Sequence, residues 1–233
     1  MPSADGTDRH HDGMTRRTGP TPPRRPRLTL PALRPHQEAA LRPEGDYDGL
    51  EFAGLDLAGV DGPGARFLDC ALHDCTLDGA CLAGARVLDS RVAGVCGVGT
   101  DLAGAQLRDV ELVDTRLAGA QLSAATLDGV LVRGGRWDGV NLRQARLRDV
   151  TFEGCELREL DLAGARLERV VFRDCVVRRL DLHVATLREV DLRQAVELSV
   201  ERGVERLAGA VITPAQLLDL APAFAAHLGV RVA

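Results

Sequence analysis

The residues able to do chemistry are few in this chain of 233 amino acids. Six cysteines stand at Cys70, Cys75, Cys81, Cys96, Cys155 and Cys175. None forms a C-x-x-C pair, and no histidine lies at zinc-finger spacing from them. His73 and His183 lie far apart in sequence, and His227 is close to the C-terminus. Gly97 and Gly99 do not form a strand-to-helix phosphate loop. Five Phe, one Tyr and one Trp are the only rings that could stack on bases or sugars. The expectation is a non-enzymatic protein without metal or cofactor. With no secretory leader in the N-terminal residues, the thiols are expected to be reduced and the protein cytoplasmic. No apolar run reaches the length of a membrane span.

One series of polar residues is ordered. Stepping by 20 gives Asp61, Cys81, Asp101, Gln121, Asn141, Asp161 and Asp181. A neighbouring series, Arg66, Arg86, Gln106, Thr126, Arg146, Arg166 and Thr186, holds no acid. All 29 basic residues are Arg, and the formal charge of −5 hides an asymmetry. Residues 50–130 hold 12 acids and 5 Arg, whereas residues 131–195 hold 11 acids and 13 Arg. Duplex DNA carries a charge every ~1.7 Å of axis, a denser array than this column offers. Asp61, Asp101, Asn141, Asp161 and Asp181 are therefore the candidate face for a protein partner. No direct contact with nucleic acid and no membrane association is expected.

Such a series needs a framework that repeats. Every fifth residue from Phe52 to Leu192 is large and apolar at 27 of 29 positions, with only Gly62 and Gly97 breaking the run. Two residues earlier stands an apolar or small residue, such as Leu50, Leu55, Val60 or Cys70. Two residues later stands Gly at 15 of 30 positions from 49 to 194, and Asp at seven more. Each pentad reads in, out, in, out, corner. In-out-in is the period of extended chain, and Gly or Asp is turn chemistry. A period of five suits neither an α-helix nor a coiled coil.

A second period sets the number of corners per turn. Ala65, Ala85, Ala105, Ala125, Ala145, Ala165 and Ala185 recur every 20 residues, and so do Val110, Val130, Val150, Val170 and Val190. Four pentads therefore close one coil, and equivalent residues stack one strand spacing apart, about 4.8 Å. The expected fold is an all-β solenoid, a quadrilateral parallel β-helix of about seven coils. Trp137 takes an inward slot beside the small Gly135, which reads as volume compensation. Cys155 and Cys175 share one inward column and read as core filler.

At Ala80-Cys81-Leu82-Ala83-Gly84, Ala120-Gln121-Leu122, Val140-Asn141-Leu142, Leu160-Asp161-Leu162-Ala163-Gly164 and Leu180-Asp181-Leu182 the chain resembles the pentapeptide-repeat family, whose pattern is A-(D/N)-L-x-x. The resemblance covers residues 45–195 and implies a right-handed coil. It implies no single function. Some members resemble DNA mimics that bind DNA gyrase and protect it from quinolones. Two functional expectations follow: an interaction scaffold for an unidentified protein, or a DNA-mimicking binder of DNA gyrase.

The flanks differ from the repeat. Residues 1–44 are rich in Pro and Arg and read as a disordered, solvated tail, with an anionic tether as the sharper alternative. Residues 196–233 read as an irregular last coil and a helical cap. Thr213 is a plausible N-cap, Pro214 the first helical residue, and Gln216 the partner in a capping box. Leu217, Leu218, Leu220, Ala221 and Phe224 are expected on the apolar face of that helix. Pro222 is expected to kink or end its first part, Gly229 to stop it, and Val230-Arg231-Val232 to add a short strand. The helix caps an open β edge, forms a dimer interface, or does both, so the chain is expected as a monomer or as a homodimer joined at its C-terminal end.

Overall fold

The structure, a computed structural model, describes residues 19–231. Inward and outward residues alternate as the pentads require, and each pentad ends in a corner. All 29 corner positions from Gly49 to Glu189 have positive φ, at fifteen glycines and fourteen other residues. Glycine reaches this region freely, and Asp and Asn tolerate it better than most residues. Seven of the fourteen are Asp.

Each coil lays its strands parallel on those of the coil before, 20 residues apart. Two adjacent faces merge into a 13-stranded sheet, because strands such as Gln106–Val113 and Arg146–Glu153 run through one corner. A third face is a six-stranded sheet from Cys96–Val98 to Glu197–Arg202. The fourth is held by single bridges that run from Asp61 to Asp181.

The bore is filled by the inward residues of the pentads, two from each of the four faces. The seven alanines of the 20-residue series are all buried, and so is the Val110–Val190 series. Trp137 is fully buried, and its indole N–H donates to Thr115 Oγ1 at 3.0 Å. The bond satisfies a polar group that would otherwise be costly in an apolar core. Its ring meets Phe152 edge-on at 5.8 Å, and Phe152 stacks on Phe172 at 4.9 Å. The core divides into two clusters near the coil that carries Val87, Val92, Gly97 and Leu102. Three of those four slots hold residues smaller than leucine, and a cavity of about 80 Å³ follows, lined by Leu77, Val87, Val92, Leu102 and Leu117 among others.

The solenoid is longer than the sequence period suggests. One strand path holds ten members, from Arg34–His36 to Ala210–Val211, so the coil makes about nine turns rather than seven. The additions are irregular, which hid them from a strict five-residue count. At the C-terminal end the register slips by one, pairing Arg173 with Gln194 and Val176 with Glu197. A 3-10 turn at Val204–Leu207 then leads into the strand Ala210–Val211. At the N-terminal end Arg34–His36 pairs with Leu50–Phe52, and Leu41 plugs the bore. Leu41 also accounts for Gly62, where a Cβ would approach Leu41 Cβ to 2.9 Å.

The N-terminal segment departs from the expectation of a solvated tail. Residues 1–18 lie outside the described residues. Residues 19–36 instead run along the solenoid toward its N-terminal end, as a strap. Composition predicted disorder because the segment cannot form a core of its own. It is ordered by a surface made elsewhere in the chain.

The cap helix spans Pro214–His227 with Thr213 as N-cap, Pro214 at its start and a complete capping box with Gln216. Its inner face differs from the one expected. Gln216 and Leu220 are buried, and Ala223 and Phe224 pack on the core. Leu217 and Leu218 are 50% and 74% exposed. Positions 216, 220 and 224 form an i, i+4, i+8 stripe; Leu217 stands at its edge and Leu218 beyond it. Pro222 lies inside the helix without ending it. The carbonyl its missing N–H would have paired belongs to Leu218, on the solvent side. Gly229 is left-handed, as a helix stop requires. Val230 and Arg231 form no strand, and Val232 lies outside the described residues.

Candidate interaction faces

The structure assembles the expected polar column. Asp61, Cys81, Asp101, Gln121, Asn141, Asp161 and Asp181 are joined in parallel bridges down the fourth face. Many of their side chains first serve the backbone. Asp101 Oδ1 accepts from the Ala103 N–H at 2.9 Å, Asn141 Oδ1 from Arg143 at 3.0 Å and Asp161 Oδ1 from Ala163 at 3.0 Å. Asp181 Oδ1 accepts from His183 at 2.9 Å. The Asp or Asn of each such pentad thus closes a local turn, a structural reason for the residue type.

The charge left over is uneven. Asp161 pairs with Arg143 at 2.6 Å and Asp181 with Arg202 at 2.7 Å. Asn141 donates to Gln121 at 2.7 Å. Among the described residues Asp61 and Asp101 form no ion pair. The column is therefore negative toward its N-terminal end and neutralised toward the other. Beside it runs the series Pro63, Ala83, Ala103, Ser123, Arg143, Ala163 and His183, whose side chains are small next to Cys81, Asp101 and Gln121 and larger at Pro63, Arg143 and His183.

The expected core fillers are inside. Cys70, Cys75, Cys155 and Cys175 are buried, and Cys81 and Cys96 are half-buried on outer faces. Burial pushes the Cys70 and Cys75 thiols up, away from the reactive thiolate. Cys175 Sγ accepts from the Cys155 N–H at 3.4 Å. His73 stands 3.9 Å from Glu51, five coils from His183. His183 and His227 line one groove between the last coil and the cap helix, with Glu205 3.5 Å from His227. Among the described residues no group of three or more His, Cys, Asp or Glu could hold a metal ion. Among them, too, no helix is long and apolar enough to cross a membrane.

A second polar column escaped the reading of the sequence. At one corner the 20-residue series is Asp69, Asp89, Asp109, Gly129, Asp149, Arg169 and Glu189. The strap crosses it. The Arg24 guanidinium pairs with Asp109, and reaches Asp128 at 3.3 Å. The Arg24 backbone N–H donates to Asp149 Oδ1 at 3.1 Å. Arg25 pairs with Glu153 at 2.7 Å, and Thr21 Oγ1 donates to Glu189 at 2.9 Å. Gly129 is where Arg24 passes, and a Cβ there would collide with the guanidinium.

The electrostatics follow these contacts. The bond to Asp109 holds Arg24 above its ordinary value. Asp149 is held below the ordinary carboxylate range, first by its bond to Arg169 at 2.7 Å and then by the Arg24 N–H against the opposing effect of burial. Asp89 is pushed up by burial, and by the nearby Asp109. The signal that could have revealed this site is the neighbouring outward series Leu131, Thr151 and Val171. Outward residues of a solvated face are polar, and these three are not charged.

Closed, four-sided coils with a left-handed residue at each corner define a class: the parallel β-solenoids built of pentads. Residues 136–198 match the family description "Pentapeptide repeat region", and residues 98–134 match "Pentapeptide repeats (8 copies)". Residues 98–134 and 136–198 thus carry pentapeptide repeats. A comparison with curated proteins finds no match. Among solved structures it is similar to a trypsin-treated variant of QnrB1, a plasmid-mediated fluoroquinolone resistance protein, at 17% identity. That likeness covers 88% of this chain and 100% of that chain, with a TM-score of 0.40. It is also similar to HetL of Nostoc sp. strain PCC 7120, a pentapeptide repeat protein involved in heterocyst differentiation regulation. The values there are 19% identity, 72% of this chain, 90% of that chain and a TM-score of 0.24. Rfr23, a pentapeptide repeat protein from the cyanobacterium Cyanothece 51142, is 18% identical over 57% of this chain and 88% of that chain, with a TM-score of 0.19.

Proposed function

We propose that this chain is a non-enzymatic scaffold that holds a protein partner against its fourth face. The observation that carries the reading is the column Asp61, Asp101, Asn141, Asp161 and Asp181, flanked by the small side chains Ala83, Ala103 and Ser123. It is regularly spaced and left open by the strap. A β face of this kind offers shape and fixed polar spacing rather than a pocket. The test is capture of partners from a native lysate by the full chain and by the double variant Asp61→Arg/Asp101→Arg. Loss of a captured protein in the variant supports the reading. An unchanged set of captured proteins overturns it.

A second reading is a DNA-mimicking binder of DNA gyrase. It is favoured by Asp61 and Asp101, whose charges no arginine among the described residues offsets, and by the acidic balance of residues 50–130. It is opposed by Arg143 and Arg202, which neutralise the far end of the column. A gyrase supercoiling assay with added protein separates the two readings, and no effect at micromolar concentration would sink the mimic. For the cap helix we propose a homodimer contact through Leu217 and Leu218, which sedimentation of the full chain and of Leu218→Glu would test.

A further inference from the structure

The solenoid by itself gives no reason for the outward series Leu131, Thr151 and Val171. These side chains point away from the bore, yet they are 3%, 1% and 3% exposed. The strap closes over them. It passes between Asp149 and Glu153, on either side of Thr151, through Arg24 and Arg25. One end of it, Pro20 to Pro23, lies with Val171 and Glu189.

The strap and the solenoid share a length scale. Its prolines Pro20, Pro23 and Pro26 recur every third residue; Pro26 is buried and the other two half-buried, while Pro22, Arg24, Arg25 and Arg27 are exposed. A three-residue period is that of polyproline II, in which three residues advance about 9.3 Å. Two coils of the solenoid advance about 9.6 Å. The contacts keep this step. Thr21 meets Glu189, and Arg24, three residues on, meets Asp149, two coils back. Arg27, three residues further, lies in a groove with Asp89 and Asp109. Each turn of such a peptide thus sets one residue, Thr21, Arg24 or Arg27, by a carboxylate of the column.

We propose that this stripe and its flanking carboxylates form a docking groove for an extended Pro/Arg-rich peptide of a partner protein, and that residues 19–27 are the resident competitor. The proposal rests on the scaffold reading and adds the chemistry of a partner. Two features of the strap make it exchangeable. Between residues 19 and 33 it joins no β ladder. Its ion pairs involve Arg24 and Arg25 side chains that are nearly half exposed, and such pairs contribute little and are screened by salt. A tethered segment still holds its groove by its high local concentration. A partner peptide with the same spacing competes once the strap is weakened.

The experiment uses the full chain and its variant Arg24→Glu/Arg25→Glu, in which the strap is repelled by its own groove. The probe is a fluorescein-labelled peptide with the sequence of residues 17–29, followed by fluorescence anisotropy. The expected result is binding at least tenfold tighter to the variant than to the unaltered chain, weakening as salt is raised and lost on adding Leu131→Arg. Circular dichroism melting shows whether the coil survives these substitutions. Should Leu131→Arg disturb it, Glu153→Arg replaces it as the control. Equal binding to both chains, or none to the variant, would overturn the groove and leave the strap a fixed wall. Equal binding of a peptide of the same composition with its prolines moved off the three-residue spacing would overturn it too. Capture on the fourth face is read separately, so a failed peptide with intact capture overturns the groove and leaves the scaffold standing.

Discussion

Gln216 Nε2 donates to the carbonyl oxygen of Leu192 at 2.8 Å, while its Oε1 accepts from the Thr213 N–H at 2.8 Å. One side chain therefore starts the cap helix and hooks it to the last regular coil. A second, longer bond runs from Nε2 to Ala195 O at 3.3 Å. The hook gives the Leu192 carbonyl, which already accepts from the Ala195 N–H at 3.0 Å, a second donor from the cap.

Gln216→Leu should accordingly loosen the cap. It removes half of the capping box and the bonds that tie the cap to the carbonyls of Leu192 and Ala195, at a cost of about 1–3 kcal/mol. Hydrogen exchange should accelerate in the strand Thr186–Gln194 before it does in the middle coils. Uniform exchange across the coil would show that the hook is unimportant.

Val184 occupies a corner with φ of 57° and is 54% exposed. A β-branched residue is poorly suited to the left-handed region, where the Cβ alone costs roughly 1–2 kcal/mol. Val184→Gly removes that strain at a surface site with little packing to lose. Its thermal midpoint should rise; a fall would mean that the valine makes contacts worth more than the strain.

The small slots near Val92 predict a gain from added volume. Val92→Leu places one further methylene in the cavity and should stabilise the coil by about 0.5–2 kcal/mol. Guanidinium unfolding would measure it. A loss would show that the space is not shaped for the larger side chain.

Asp149 gives a pH dependence with a definite sign. Its carboxyl is held below the ordinary range, so the charged form favours the folded chain. That contribution is fully present above the unfolded carboxylate value of about 4 and is lost as pH falls through the lower, folded value. Asp149→Asn lacks it. The difference in urea midpoint between the two chains should be present near neutrality and close as pH drops toward about 2. A constant difference across that range would place the effect in packing rather than charge.

How much of this was legible in the sequence depends on whether the information was local. A left-handed corner every fifth residue, two inward slots between corners, and four corners per coil are written in residue type at fixed spacing. So is the cap start at Thr213-Pro214-Ala215-Gln216, whereas Gly135 is small because a Cβ there would collide with the Thr115 backbone, not because Trp137 needs the volume. Each follows from sterics within a few residues or from the stacking of identical positions 20 apart. The turn-closing use of Asp101, Asn141 and Asp161 is local in the same way, although their residue type alone suggested a binding face.

Tertiary structure decided what depends on distant segments meeting. Leu217 and Leu218 read as part of an apolar stripe, but Gln216 reaches Leu192 and turns them to solvent. Thr115, 22 residues before Trp137, supplies the indole's partner. Residues 19–27 carry the composition of disorder, since no segment so poor in large apolar side chains can order itself. They are ordered because 20-residue stacking collects Leu131, Thr151 and Val171 into a stripe and Asp109, Asp149 and Glu189 into a column. That surface exists only once the coil has formed.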